Sequence, residues 1–364
     1  MEQFPSIEQP PSKGVTQGSE WRRFCTWFMA IFVGGVGSLY LFVVLVDPYD
    51  VVPFSLPMER RIVSISQRYM YPQIIRSKRF DSVIVGTSTS RLIDPSILNA
   101  AFGTRFANLA MDSMTAWEQA EVVSFFGWKA GPPKVLIIGI DSVWCDRDAD
   151  RSRVTPRGFP QWLYDDNPAN DLLYLLNAGT LEIAGRMVGN KLNLYPERVR
   201  YDGFGVFVPP EEQYDLKRAR AHIRSAGRRE PPSTSAPVVL SSAERAALRF
   251  PALDWLEATL ADLPASTEKI LVFMPVHVAA QPAPGSRGAA IEDECKQRIG
   301  LIGRKHGAIV ADWRFASPLT TKDSNYWDPL HYRLPIAHNI AREIGGPIRA
   351  RRESGDGFYR LLTP

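Results

Sequence analysis

Cysteine and histidine are scarce in this chain: three and five residues out of 364. No pair of them stands at structural zinc spacing, so no metal centre is expected, and no segment suggests a cofactor. Also missing is a block of Lys and Arg interleaved with aromatics. The 43 basic and 39 acidic residues are interspersed, which argues against a nucleic-acid partner. No internal repeat is present, and 45% hydrophobic with 23% charged content is that of a globular chain, not a disordered one. The sharpest absence is local. From Phe24 to Val46 (FCTWFMAIFVGGVGSLYLFVVLV) 23 residues pass without Asp, Glu, Lys, Arg or His.

As a helix that run crosses about 30 Å of hydrocarbon, and a buried core helix rarely stays apolar on every face for so long. A transmembrane helix over 22–46 is therefore expected. Arg22 and Arg23 precede it and Asp47 follows, so the positive-inside tendency makes residues 1–21 a cytoplasmic tail. The rest of the chain then lies outside, in the periplasm of a Gram-negative cell. The run is longer than the apolar core of a signal peptide and no small-x-small cleavage site follows, which favours an uncleaved, single-pass anchor in the inner membrane. Cys145 and Cys295 would meet an oxidising compartment, where they could bond or remain separate thiols; sequence alone leaves both open.

Residues 47–79 read as a connecting region with an amphipathic helix over Arg60–Lys78. Beyond it, apolar runs alternate with helical stretches. Val83–Val85, Arg105–Leu109, Lys134–Ile140, Lys269–Met274 and Ala308–Asp312 read as strands. Asp94-Pro95 opens a helix as cap and first residue. Thr115 with Glu118 forms a capping box for a helix to Trp128; Ile291–His306 and Pro335–Ile344 read as two more helices. This alternation predicts an α/β fold built on a doubly wound parallel sheet. It is interrupted over 145–265, read as an insertion or subdomain with a helical run near Asn170–Val188 and a flexible link around 226–237. Residues 351–364 read as a C-terminal tail.

Sites in such sheets form at the C-terminal ends of strands, where Gly86, Asp141, His277 and Asp312 fall. Val83–Val85 runs straight into Gly86-Thr87-Ser88-Thr89-Ser90-Arg91, a turn rich in hydroxyls. A hydroxyl is a poor nucleophile unless an adjacent base takes its proton. Asp328-Pro329-Leu330-His331 offers a carboxylate and an imidazole three residues apart. Ser88 is the leading nucleophile, Thr89 and Ser90 the alternatives, with His331 as base and Asp328 as its orienting carboxylate. His277 is either a rival base or substrate ligand, or a hydrogen-bonded residue lining its strand end. Arg91 is a candidate substrate-binding residue. The turn lacks the second glycine of a nucleophile elbow, so the α/β-hydrolase pattern does not apply.

These residues carry a resemblance. The chain resembles the SGNH (GDSL-like) hydrolase superfamily, and within it the membrane-anchored extracytoplasmic branch that includes the D-alanine transfer protein of teichoic acid synthesis and the alginate O-acetylation proteins. The resemblance covers about 80–346, apart from 145–265. Gly86-Thr87-Ser88 stands where the family has Gly-Asp-Ser, and Asn108-Leu-Ala-Met where it has an Asn and then a Gly whose backbone N–H meets the oxyanion. Gly139-Ile140-Asp141 stands at the Gly-x-Asn block, and Asp328-Pro-Leu-His331 matches Asp-x-x-His.

The resemblance implies an SGNH-like three-layer sandwich over 80–350, a Ser88 nucleophile, and an oxyanion or substrate site including Asn108, Ala110 and Asp141. Asp141 replaces an Asn whose amide would donate to the oxyanion; an ionised carboxylate cannot, so Asp141 is protonated or points elsewhere, toward substrate hydroxyls. The implied activity is an acyltransferase or esterase acting on a cell-surface or exported polysaccharide, or another hydroxyl acceptor, through a serine acyl-enzyme. A membrane O-acyltransferase that delivers the acyl group is the implied partner. A catalytically inactive scaffold that binds glycan or a polysaccharide-synthesis complex is the alternative. A phosphate-ester enzyme is a weaker third reading, with only Arg91 near the turn.

Overall fold

A computed structural model of the protein describes residues 16–165, 167–225 and 236–363. Most of residues 1–21, read above as a cytoplasmic tail, and most of the link around 226–237 lie outside the described residues.

The chain begins with α1 (Thr16–Val46), of which Gly18–Val46 is long and apolar enough to cross a membrane. Its side chains stand mostly exposed as far as Leu41, whereas Val43, Val44 and Val46 are buried against the body of the protein. Asp47 turns the chain at the foot of the helix. Its buried carboxylate accepts the N–H groups of Val51 and Val52 at 3.0 and 2.9 Å and pairs with Arg60 at 3.4 Å. That anchoring explains a departure from expectation. The helix read over Arg60–Lys78 is only α2 (Gln67–Arg76), because Arg60 is held extended by Asp47 and Ile62 forms an antiparallel bridge with Val199.

Strands and helices then alternate through β1 (Ser82–Val85), α3 (Pro95–Phe102), β2 (Phe106–Asn108), α4 (Ala116–Ala130) and β3 (Val135–Ile140). The interruption holds α5 (Pro168–Tyr174), α6 (Ala178–Lys191), α7 (Leu216–Ser225), α8 (Ser242–Ala247) and α9 (Ala252–Ala261). Alternation resumes with β4 (Glu268–Phe273), α10 (Arg287–Lys305), β5 (Ile309–Asp312), α11 (Leu334–Glu343) and β6 (Arg360–Leu361). The helical run expected near Asn170–Val188 is therefore two helices. Asn177 divides them by capping α6, its side chain accepting Thr180 N–H at 2.9 Å.

The result is a mixed α/β body around one six-stranded sheet of order β2-β1-β3-β4-β5-β6, parallel throughout except for β6. Successive side chains of a strand point to opposite faces, and here both faces are covered. Val85, Ile138 and Leu271 face the core under α4, α9 and α10; Ile84, Ile137 and Ile270 face the one under α3 and α11. That double burial is why the central stretches of the strands, such as Val83–Val85, Val135–Ile138 and Ile270–Phe273, are apolar on both faces. Both helix-start signals are realised. Asp94 accepts Ser96 N–H at 2.9 Å before Pro95, and Thr115 and Glu118 exchange their reciprocal bonds.

Two features were open or missed in the sequence. The stretch read as a C-terminal tail supplies β6, which pairs with β5 while Arg360 reaches Asp312 at 2.8 Å. Cys145, just beyond β3, is joined by a disulfide to Cys295 in α10, closing a sequence separation of 150 residues. Loop closure of that length constrains the unfolded chain by about 5 kcal/mol in the chain-entropy picture. The variant Cys145→Ser/Cys295→Ser should lose about 2–5 kcal/mol in urea unfolding, and reduction of the wild type should give the same midpoint as the variant.

Candidate active site

β1 delivers Gly86 and Thr87 at its C-terminal end, and a 3-10 turn over Ser88–Ser90 follows at once. The turn presses onto β3, and this close approach excludes side chains at two positions. A Cβ on Gly86 would lie 2.3 Å from Ser90 Oγ, and one on Gly139 1.9 Å from the same atom. Of the four hydroxyls here, Thr87, Thr89 and Ser90 are buried and Ser88 alone is partly open to solvent. Thr87 and Thr89 are committed to the Asp141 carboxylate, and Ser90 Oγ is enclosed without a partner. Thr89 and Ser90 are thus poorly placed as nucleophiles.

The C-terminal motif is shaped to meet this turn. Tyr326 and Tyr332 form an antiparallel bridge, and Trp327 N–H donates to His331 O at 2.9 Å, closing a tight loop over the residues between. Within it Asp328 Oδ1 accepts the N–H groups of Leu330 and His331 at 2.8 and 2.9 Å. Its other oxygen, Oδ2, lies 2.8 Å from His331 Nδ1, and His331 Nε2 lies 2.8 Å from Ser88 Oγ. The ionised carboxylate only accepts, so Nδ1 carries the proton and Nε2 is free to accept from Ser88. Burial raises the Asp328 pKa, but the hydrogen bond and charge of His331 and the two backbone amides outweigh it, and the net displacement is downward. Tyr332 donates its buried hydroxyl to Thr89 O, clipping the loop directly to the serine turn. From below, His277 N–H donates to Pro329 O at 2.8 Å.

Four further sequence candidates take other places. Asp141 does not face a substrate. Its Oδ2 accepts from Thr87 and Thr89, and its Oδ1 pairs with Arg314 at 2.9 Å. Asn108 is wholly buried, donating to the carbonyls of Ser90 and Ile93 at 2.9 Å and of Arg91 at 3.3 Å, so it splints the chain that leaves the serine turn. Its Oδ1 accepts Ala110 N–H at 3.1 Å, and that N–H is therefore spoken for rather than open to an oxyanion. His277 Nε2 bonds Asp323 at 3.1 Å and its Nδ1 accepts Ala279 N–H at 3.1 Å; the side chain supports its strand end and does not join Ser88.

Arg91 lies one ring away from His331. It pairs with Asp112 at 2.6 Å and covers one side of Phe207 at 4.5 Å, while Phe207 meets His331 edge-on at 5.2 Å. Phe207 and Arg314 are the site neighbours that sequence reasoning missed. Arg314, two residues past β5, also donates to Ile140 O at 2.9 Å and Met274 O at 3.3 Å, tying together the ends of β3 and β4. Its nearness to a strand end was the only signal available. Among the described residues no group of three His, Cys, Asp or Glu is arranged to hold a metal ion.

Comparison with known proteins finds no matching family model and no matching curated protein.

Removing one partner of a buried ion pair strands the other's charge, at about 3–5 kcal/mol. Arg314→Met should therefore destabilise the protein by about that much, and adding Asp141→Asn should recover most of it, as a double-mutant cycle in urea would show. A second expectation concerns acid. Because folding lowers the Asp328 pKa, its contribution to stability is present above the ordinary carboxyl value and lost as pH falls through the folded value. Urea midpoints between about pH 6 and pH 3 should fall less steeply for Asp328→Asn than for the wild type.

Proposed function

We propose that the protein is a membrane-anchored, extracytoplasmic acyltransferase or esterase of SGNH type, acting on a hydroxyl-bearing polysaccharide through a Ser88 acyl-enzyme. The observation that carries this reading is the unbroken chain Asp328–His331–Ser88, with both links at 2.8 Å. Helices covering both faces of a mostly parallel sheet support the doubly wound, three-layer version of the fold. The Arg22-Arg23 pair before the span and the Cys145–Cys295 disulfide support an oxidising, non-cytoplasmic location for the body.

In this mechanism His331 Nε2 takes the Ser88 proton as Oγ attacks the acyl carbonyl carbon. Asp328 holds the imidazole in the required tautomer and stabilises the imidazolium. As the tetrahedral intermediate collapses, the leaving oxygen takes that proton from His331 and the acyl group stays on Ser88. An acceptor hydroxyl, or water, gives its proton to His331 and attacks the ester, and His331 then returns the proton to Ser88. The N–H of Ser88, at the start of its turn where the helical ladder offers no acceptor, is the donor left for the oxyanion.

One observation favours the second reading, a non-catalytic scaffold for glycan or a synthesis complex. Ala110 N–H, the backbone donor implied by the family pattern, is held by Asn108 Oδ1, and Asp141, in place of the donating Asn, is turned to Thr87, Thr89 and Arg314. A fluorophosphonate probe separates the two. The full-length protein should be labelled, Ser88→Ala and His331→Ala should abolish labelling, and Asp328→Asn should slow it by about three to four orders of magnitude. A folded protein that stays unlabelled would leave the scaffold.

A further inference from the structure

We propose that the protein carries a second membrane contact: an apolar corner between α5 and α6, with the 53–56 loop, seats the body on the bilayer surface beside its own anchor. The proposal rests on α1 spanning the membrane and is independent of the chemistry at Ser88.

The length of bare helix sets the level of the bilayer. Between Phe24 and Leu41 α1 is charge-free and mostly uncovered, and these 18 residues extend about 27 Å. That nearly equals the ~30 Å hydrocarbon core, so the outer edge of the hydrocarbon falls close to Tyr40. The body begins at that level. Tyr40 donates its hydroxyl to Leu172 O at 2.9 Å, placing the end of α5 directly beside the helix.

The residues that follow are large, apolar and uncovered: Leu173 is 74% exposed and Leu176 51%. Between them Tyr174, also exposed, stacks on Trp162 at 5.6 Å, and tyrosine and tryptophan are the residues enriched where hydrocarbon meets headgroups. On the loop after α1, Leu56 N–H donates to Leu45 O at 2.8 Å, and Phe54 and Leu56 are 67% and 50% exposed. Leu45 is five residues past Tyr40, about 7.5 Å along the helix axis, a distance comparable with the headgroup layer, which adds about 5–7 Å to each side of the hydrocarbon. Two separate segments therefore bring exposed leucine and phenylalanine to the exit of one membrane helix. The occupant that geometry supplies is the lipid surface through which that helix has just passed.

Site-directed spin labelling tests this on the full chain. Single cysteines would replace Phe54, Leu173 and Leu176 in a Cys25→Ser background, with the protein reconstituted into phosphatidylethanolamine–phosphatidylglycerol vesicles. Arg342→Cys serves as the aqueous control, being exposed on α11, across the sheet from the core that holds the foot of α1. Val33→Cys, midway along α1, reports the span itself, so failure of the anchor is told apart from failure of the seat. Labels at 54, 173 and 176 should be relaxed several-fold more by oxygen than by a water-soluble nickel chelate, relative to the label at 342. Equal access to both reagents at 173 and 342 would overturn the proposal. Shielding of 173 and 176 from both reagents would also overturn it, because a protein surface would then cover the corner.

Discussion

A carboxylate buried at the end of a central strand must be neutralised where it stands, and the pairing of Asp141 with Arg314 meets that demand. The guanidinium comes from beyond β5, spans the ends of β4 and β3 on the way, and leaves the far oxygen of Asp141 to gather two threonine hydroxyls. Those hydroxyls flank Ser88. The orientation of a surface serine is thereby set by an ion pair shielded from solvent, where screening is weak and geometry is strict. An asparagine at this position could offer a donor outward but would leave the arginine without a countercharge. The acid at this position forgoes an outward-facing donor and gives rigidity to the serine turn.

The segment that interrupts the α/β alternation is woven into this arrangement. Asn108 N–H donates to Asp202 O at 2.7 Å, and Tyr71 donates to Gly203 O at 3.2 Å. Gly203, at φ 83°, is packed so tightly that a Cβ would stand 1.9 Å from Asn108 O. The strap continues to Phe207, whose edge abuts His331. The interruption thus supplies the ring beside His331 as well as helices that pack at the foot of α1.

The parts of this fold written in short, local patterns were legible in the sequence. Strands buried on both faces read as unbroken apolar runs, and Asp94-Pro95 and Thr115–Glu118 announced their helices. Ser88, Asp328 and His331 could be chosen because a turn after a strand and a three-residue spacing are both local. What failed to read was direction and distance. Nothing near Asp141 reveals that its partner lies 173 residues away, or that Asn108 turns its amide toward three carbonyls rather than into a cleft. The 60–66 stretch keeps a helical pattern and is extended because Asp47 and Val199 claim it. β6 has two residues, too few to show any period.

The hydroxyl of Tyr332 meets the carbonyl of Thr89 across 243 residues of chain, as Ser88 meets His331. Between them in sequence lie β2 to β5 and the whole interrupting segment. In the order of synthesis the serine turn precedes the histidine loop by all of these elements. The hydroxyl of Ser88 therefore has no imidazole beside it until the segments on either side of β2 to β5 have come together. The contact between Ser88 and His331 is a product of the assembled fold, out of reach of either local segment alone.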